Sequence, residues 1–328
     1  MKILITGITG LIGQHLTDVL LENGINTIRG TYHSSKNITK FLEQNIELRK
    51  VDISNKKDIE DITNTCEVVV HAAARVIDYG TKKQFYDAHY HATNFILEDA
   101  KKNKVRHFIY ISSIGVASGI DRKNIIPDED TPLIKTGIYY DDAKIDTEQL
   151  VKEFCTNNNI AYTIIRPSAV IGVGSVWINE PLKRMKSSLG LKLIDKGKQP
   201  ACLIDAYNLA EGIYLCISKN VAYNQTYFFM DDWDISWKKY FTDLASFNNH
   251  QVKSSIPYFI VYPLASVIEF IFPLFGKVPP ITKKSVKATG SNRTVSTLKA
   301  QKELGWKSKH TYNDCMQRIK LGLTKLSV

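Results

Sequence analysis

The sequence is poor in cysteine, and its five cysteines follow no pairing pattern. Cys66, Cys155, Cys202, Cys216 and Cys315 lie far apart, are odd in number and include no CxxC. That argues against a disulfide framework or a zinc site and points to reduced, partly buried thiols in a cytoplasmic protein. A secretory leader is not expected either: glycine interrupts MKILITGITG too early for an apolar core, and no cleavage site follows. There is no internal repeat and no low-complexity stretch. With 44% hydrophobic against 23% charged residues, disorder of the whole chain is excluded. At 328 residues the chain can bury a full core, as one large domain or two unequal ones.

Acidic residues are missing from two places. None lies between Glu22 and Glu43, and after Lys277 only Glu303 and Asp314 stand against twelve Lys and Arg, Lys277 included. The last 52 residues therefore hold the whole net charge of +10. Such a tail suits anionic lipid, nucleic acid or an acidic substrate, although a solvated surface is the plain reading. No nucleic-acid motif accompanies it, so no nucleic-acid partner is expected.

What is present, in the first half, is an alternation of short β-branched runs with longer amphipathic stretches, the pattern of βαβ units and a parallel sheet. Strands are expected at residues 2–6, 26–30, 46–51, 67–71, 106–112 and 161–166. Helices are expected at 11–23, 86–103 and 140–157. The alternation fades after about residue 175, which divides the chain into a dinucleotide-binding domain (1–175) and a mainly substrate-binding domain (176–328). A helix at 206–218 and a strand at 226–230 place 203–230 back on the first domain. The fold class is α/β, a Rossmann-type doubly wound parallel sheet with a smaller C-terminal substrate domain.

Directly after the first strand stands Gly7-Ile8-Thr9-Gly10-Leu11-Ile12-Gly13. Glycines permit a tight turn and close backbone approach, and the helix that follows offers free N–H groups to a pyrophosphate. The GxxGxxG spacing differs from GxGxxG, but its place between strand and helix makes it a dinucleotide loop through Gly7, Thr9, Gly10, Leu11, Ile12 and Gly13. About 20 residues on, an acid would bind a ribose 2′-hydroxyl. None is there; Arg29, His33 and Lys36 suit a 2′-phosphate instead, unless Arg29 points into the sheet. NADP(H) is therefore the favoured cofactor, with NAD(H) the alternative.

Tyr140-Asp141-Asp142-Ala143-Lys144 sets a phenol and an ammonium four residues apart on one helix face. An isolated phenol, with its pKa near 10, is a poor acid–base group at neutral pH. A neighbouring cation stabilises the phenolate and makes it useful. Tyr139 is not the better candidate, because Ala143 follows it at that spacing. Ser113, at the end of the fifth strand, can orient a substrate oxygen toward the phenol.

Together these residues resemble the extended short-chain dehydrogenase/reductase family, also described as the NAD-dependent epimerase/dehydratase superfamily. The matching pieces are residues 6–13, Asp52-Ile53, HAAA (71–74), ISSIGV (111–116), YDDAK (140–144), RPSAVIG (166–172) and LIDAYNLAEGI (203–213). The resemblance implies that Asp52 and Ile53 border the adenine and that Ala72, Ala73 and Ala74 border the pyrophosphate and ribose. It places Pro167 and Val170 beside the nicotinamide carboxamide, Ser113 as third catalytic residue, and Tyr140 and Lys144 against both cofactor and substrate. Two positions depart from the family: His89 stands where an asparagine is usual, and Ala143 where a serine is usual. His89 is read as either part of a proton relay or a solvated helix residue. Residues 278–306 look like the 3β-hydroxysteroid dehydrogenase and dihydroflavonol reductase branch, which acts on bulky apolar alcohols and ketones.

The expected function is thus an NAD(P)-dependent alcohol–ketone oxidoreductase on a sterol-, lipid- or polyketide-like substrate. The alternatives are a nucleotide-sugar epimerase or dehydratase and, from another class, a catalytically silent NAD(P)-sensing protein. Family members often form homodimers through the helices expected here at 86–103 and 140–157, with Phe95, Ile96 and Ala100 as candidate contacts, although some of these must face the sheet. Residues 256–276, IPYFIVYPLASVIEFIFPLFG, match a bilayer in length, about 30 Å as a helix. Pro257, Pro263, Pro273 and Glu269 argue against a span. A buried helix of the substrate domain is one reading, and an apolar lip giving peripheral membrane contact is the other.

Overall fold

The computed structural model describes residues 1–34, 38–122, 125–188, 190–252 and 254–326. Seven strands form one sheet: β1 (Ile3–Thr6), β2 (Ile28–Tyr32), β3 (Glu47–Lys50), β4 (Val68–His71), β5 (His107–Ile111), β6 (Ala161–Pro167) and, after three short strands elsewhere, β10 (Gln225–Phe229). Their order is β10-β6-β5-β4-β1-β2-β3, and every pairing is parallel. The chain runs outward from β1 through β2 to β3, then crosses to β4 on the other side. The carboxyl ends of β1 and β4 therefore flank a topological switch point, where an open α/β sheet leaves a crevice.

A sheet covered on both faces has strands that are apolar throughout, and β1, β4 and β5 are buried at every residue. Ile3 and Ile5 point to a core shared with the helices Leu11–Glu22 and Ala206–Ser218, while Leu4 points to the opposite core with the helices Ala92–Lys102 and Tyr139–Asn157. The strand β2 starts two residues later than its pattern suggested. Gly24, left-handed at φ +77°, ends the preceding helix, and the turn consumes residues up to Thr27, whose carbonyl accepts from Ile3 N. The strand β10 pairs beside β6 at the sheet edge. Residues Ala300, Leu304 and Trp306 also join the first core, so part of the chain's last segment packs on the sheet.

The remaining strands are β7 (Ala169–Ile171), β8 (Lys192–Ile194), β9 (Leu203–Asp205) and β11 (Ser254–Ile256), paired β7 with β9 and β8 with β11. Around them the helices Val176–Lys186, Trp237–Ser246 and Tyr312–Leu326 enclose a second core of Ile178, Trp237, Tyr240 and Ile319. A further small core joins Ile194, Val261, Ala265 and Val286. Two expected dimer contacts need correction. Ile96 and Ala100 are fully buried against the sheet and offer nothing to a second copy, because that stripe of their helix covers β4 and β5.

The helix Tyr139–Asn157 is pinned by buried charge. Glu148 accepts from Arg166 Nη2 at 2.7 Å and Nε at 3.0 Å, and from Ser112 Oγ at 2.5 Å. Helix, β6 and the end of β5 are thus joined at one carboxylate.

Candidate active site

The crevice at the switch point is a cleft of about 990 Å³. Its floor is the glycine loop. Gly7 has φ +69°, and a Cβ there would meet Ala73 Cα at 2.9 Å. A Cβ on Gly13 would meet the Gly7 carbonyl oxygen at 2.5 Å. The chain passes β1, β4 and the first helix this closely only because those side chains are absent. Gly10 caps the helix Leu11–Glu22 with no side-chain hydrogen bond, so the helix presents unsatisfied N–H groups and its positive dipole end. Those features fit a dinucleotide pyrophosphate. Thr6 Oγ1 accepts from Ala73 N at 3.1 Å and pairs with His71 Nδ1 at 2.7 Å, while His71 Nε2 pairs with Thr93 Oγ1 at 3.0 Å. Burial, with Lys144 second, pushes His71 down to about 3, so the ring is a neutral strut between the two strand ends.

The cleft brings together Gly7, Thr9, Gly10, Leu11, Ile12, Gly13, His33, Asp52, Ile53, Ala72, Ala73, Ala74, Ser113, Tyr140, Lys144, Pro167 and Val170. Arg29 does not belong with them. Its side chain is buried, with Nε on Glu47 at 2.7 Å and Nη1 on the carbonyl oxygens of Ile62 and Asn64. A residue in mid-strand points to one sheet face, not to the strand end, and Arg29 is spent there on structure. Lys36 lies outside the described residues. His33 is exposed at the cleft, with Nε2 3.7 Å from Asp52 Oδ2.

At the other end, Lys144 is buried, donates from Nζ to the Ile111 carbonyl at 2.7 Å and lies 4.6 Å from the Tyr110 ring centroid. Burial lowers it to about 7, with Glu148 opposing the drop. Tyr140 is buried next to it. Burial pushes its phenol up, while Lys284 and Ser113 pull it back. Ser113 Oγ accepts from Gly115 N at 3.0 Å, fixing the hydroxyl at the strand end. His89 is buried rather than solvated. Its ring meets the Tyr140 ring edge-on at 5.3 Å, and Nε2 is 3.3 Å from the Arg75 carbonyl oxygen. It sits in a π-turn, Asp87–His91, where the helix widens toward the site. Burial and then Lys144 hold its pKa well below normal.

Sequence reasoning missed the contribution of the chain's last quarter. Lys284, on the helix Lys283–Gly290, places its ammonium 3.7 Å from the Tyr140 ring centroid and pairs with Asp78 at 3.2 Å. Ser285, Ala288 and Arg293 also line the cleft, as do Trp177, Trp237 and Cys202. For Lys284, Ser285, Ala288 and Arg293 the sequence signal was the matching run at 278–306; Trp177, Trp237 and Cys202 lie outside it. The position of Lys284 against Tyr140, nearly half the chain away, is a property of the fold.

A model of the NAD dependent epimerase/dehydratase family matches residues 3–227. A sterol-4-alpha-carboxylate 3-dehydrogenase (decarboxylating) of Dictyostelium discoideum is 24% identical, across 97% of this chain and 99% of its own. A 4-hydroxy-2-methyl-3-oxo-4-farnesyl-3,4-dihydroquinoline-1-oxide ketoreductase of Stigmatella aurantiaca is 21% identical, across 98% and 96%. Among solved structures, UDP-glucuronic acid 4-epimerase from Bacillus cereus, in complex with UDP-glucuronic acid and NAD, superposes with a TM-score of 0.79. It is 20% identical and covers 99% of this chain and 100% of its own, a likeness of fold.

Lys284→Met is expected to raise the Tyr140 phenol pKa, because the cation that favours phenolate is gone. Ultraviolet difference titration against Tyr140→Phe measures it, and Lys284→Arg should restore much of the shift. An unchanged titration would show that Lys284 does not act on the phenol.

Proposed function

Because the chain belongs to the NAD dependent epimerase/dehydratase family, we propose that it is an NADP(H)-preferring oxidoreductase that interconverts a secondary alcohol and a ketone on a bulky apolar substrate. The observation that carries the reading is the buried Tyr140–Lys144 pair facing the same cleft as the glycine loop. A silent dinucleotide sensor has no use for such acid–base machinery.

When bound, the nicotinamide group supplies or accepts the hydride. In reduction, Tyr140 gives its phenolic proton to the carbonyl oxygen as negative charge gathers there; in oxidation the proton returns. Ser113 Oγ orients that oxygen toward the phenol. Lys144 and Lys284 stabilise the phenolate, and Lys144 also holds the nicotinamide ribose. Asp52 and Ile53 border the adenine, Ala72–Ala74 the pyrophosphate and ribose, and Pro167 with Val170 the carboxamide.

The apolar substrate class rests on Trp177, Trp237, Cys202 and Ala288 in the cleft wall and on two relatives named for a sterol carboxylate and a farnesylated quinoline. Such substrates partition into membranes, and the protein works at a membrane surface on the cytoplasmic side. With Arg29 withdrawn, the NADP(H) preference rests on the missing carboxylate after β2 and on His33 at the cleft.

Tyr140→Phe should leave NADPH binding nearly intact and cut turnover by about two to four orders of magnitude, the range for a lost general acid. A panel of apolar ketones, alcohols and nucleotide-sugars, followed by cofactor absorbance, gives the reading; wild-type turnover in Tyr140→Phe would refute the mechanism. By calorimetry NADPH should bind tighter than NADH, and His33→Asp should reverse the order. A clear wild-type preference for NADH removes the NADP(H) reading.

A further inference from the structure

The helix Tyr258–Ile271 and the turn Phe272–Phe275 form an apolar element that the protein leaves uncovered. Mean hydropathy over Tyr258–Phe275 is 1.8, yet only 11% of that window is buried. The buried-helix reading of the sequence is therefore wrong. Only Val261 and Ala265 are fully buried in the helix, packing beside Ile194 and Val286. Phe259, Leu264, Val267, Phe270, Leu274 and Phe275 are exposed, Phe259 at 76% and Phe270 at 73%. From Phe259 to Leu274 they recur every three to five residues, with Phe275 directly after, which puts them on one side of the element. Contiguous apolar surface of this kind marks an interaction site.

The fold limits what can cover it. Val261 and Ala265 are committed to the protein, and Glu269 accepts from Lys283 N at 3.1 Å, so one face of the helix cannot leave to span a bilayer. The element can only lie flat. Its ends carry cations. The backbone of Lys196 donates to Ser255 Oγ, and Lys192 pairs in register with Ser254, just before the helix begins. Lys277 and Lys283 follow at its far end, and Lys192, Lys196 and Lys277 are exposed. The nearby acids are engaged, Asp195 by Tyr258 N and Glu269 by Lys283. The rest of the basic tail is dispersed over the molecule, with Lys284 on Tyr140, Lys309 on Glu211 and Arg318 on Asp205. An apolar stripe with lysines at both ends complements an anionic lipid interface.

The helix Lys283–Gly290 joins this surface to the cleft. Its Val286 packs on the apolar helix, and a Cβ on Gly290 would meet the Tyr258 ring at 2.5 Å. Lys284, Ser285 and Ala288 of the same helix line the cleft. One helix thus separates the exposed stripe from Tyr140.

We infer that the protein docks on an anionic membrane through Tyr258–Phe275 laid flat in the interface, with Lys192, Lys196 and Lys277 on the headgroups. The cleft is then held beside the lipid from which its substrate comes. That last step rests on the apolar-substrate reading above; the docking does not.

The test is flotation of the full chain with phosphatidylcholine vesicles, with and without about 30% phosphatidylserine, at low and high salt. Most of the protein should float with the anionic vesicles at low salt and at least tenfold less at high salt. Phe270→Asp plus Phe275→Asp should lower the floated fraction at least tenfold while NADPH binding and turnover of a water-soluble ketone stay unchanged. Four results would overturn the inference: no flotation, equal flotation with neutral vesicles, an undiminished double variant, or carbonate-resistant insertion, which indicates a span. A dimer by light scattering that the double variant dissolves, without flotation, would assign the stripe to a second copy. Flotation without turnover of any apolar ketone or alcohol would uphold docking and refute the substrate reading alone.

Discussion

The buried carboxylate of Glu148 holds the site in register. It takes three hydrogen bonds from Arg166, through Nε and Nη2, and one from Ser112, and both ionised side chains are about 2% exposed. Charges this deep are costly unless paired with good geometry, and removing one partner typically costs about 3–5 kcal/mol. Paired through Nε and Nη2, with Arg166 Nη1 left without a hydrogen-bond partner among the described residues, the array fixes the helix Tyr139–Asn157 against β5 and β6. Lys144 lies one turn before Glu148 and Tyr140 one turn earlier still, so the same constraint aims both into the cleft. The hub also tempers the penalty on Lys144, since Glu148 opposes the loss of charge that burial imposes.

Around that anchor the work is divided between two parts of the chain. The sheet supplies what its topology dictates: a crevice between β1 and β4, a glycine floor, and strand ends carrying Ser113 and the HAAA turn. The C-terminal part supplies what a cleft alone lacks. Lys284 covers the Tyr140 ring, Trp177 and Trp237 provide apolar wall, and Arg293 brings a guanidinium whose Nε has no hydrogen-bond partner among the described residues. Tyr140 therefore sits between a lysine of its own helix and one from far along the sequence. The Lys284 cation near the buried phenol favours its ionised form against the burial that opposes it.

Much of this could be read from local patterns. The helix Ala206–Ser218 falls where its periodicity put it, the sheet strands within two residues, and the glycine loop and YDDAK stand at the expected strand and helix ends. Readings failed where a side chain's direction or a distant partner decides the outcome. Arg29 looked like a phosphate ligand by position, but its place in the pleat sends it to Glu47. Of the two readings of His89, the solvated one fails, because the ring is buried against Phe85 and Tyr140. The segment 256–276 is apolar enough for a core, yet only Val261 and Ala265 bury fully, with Ile256, Tyr258 and Tyr262 partly packed beside them, and most of the remainder lies outside. Lys284 was one basic residue among twelve in the tail until the fold laid it over Tyr140.

The central claim is that the Glu148-anchored helix presents Tyr140 and Lys144 to a nicotinamide cofactor and a carbonyl oxygen in one cleft. A crystal structure of the chain with NADP⁺ and an apolar ketone tests it most directly. The account predicts the ketone oxygen within hydrogen-bond distance of both Tyr140 Oη and Ser113 Oγ, with Lys144 Nζ on the nicotinamide ribose. A ketone oxygen bound away from Tyr140, or a nicotinamide outside the cleft, would contradict it.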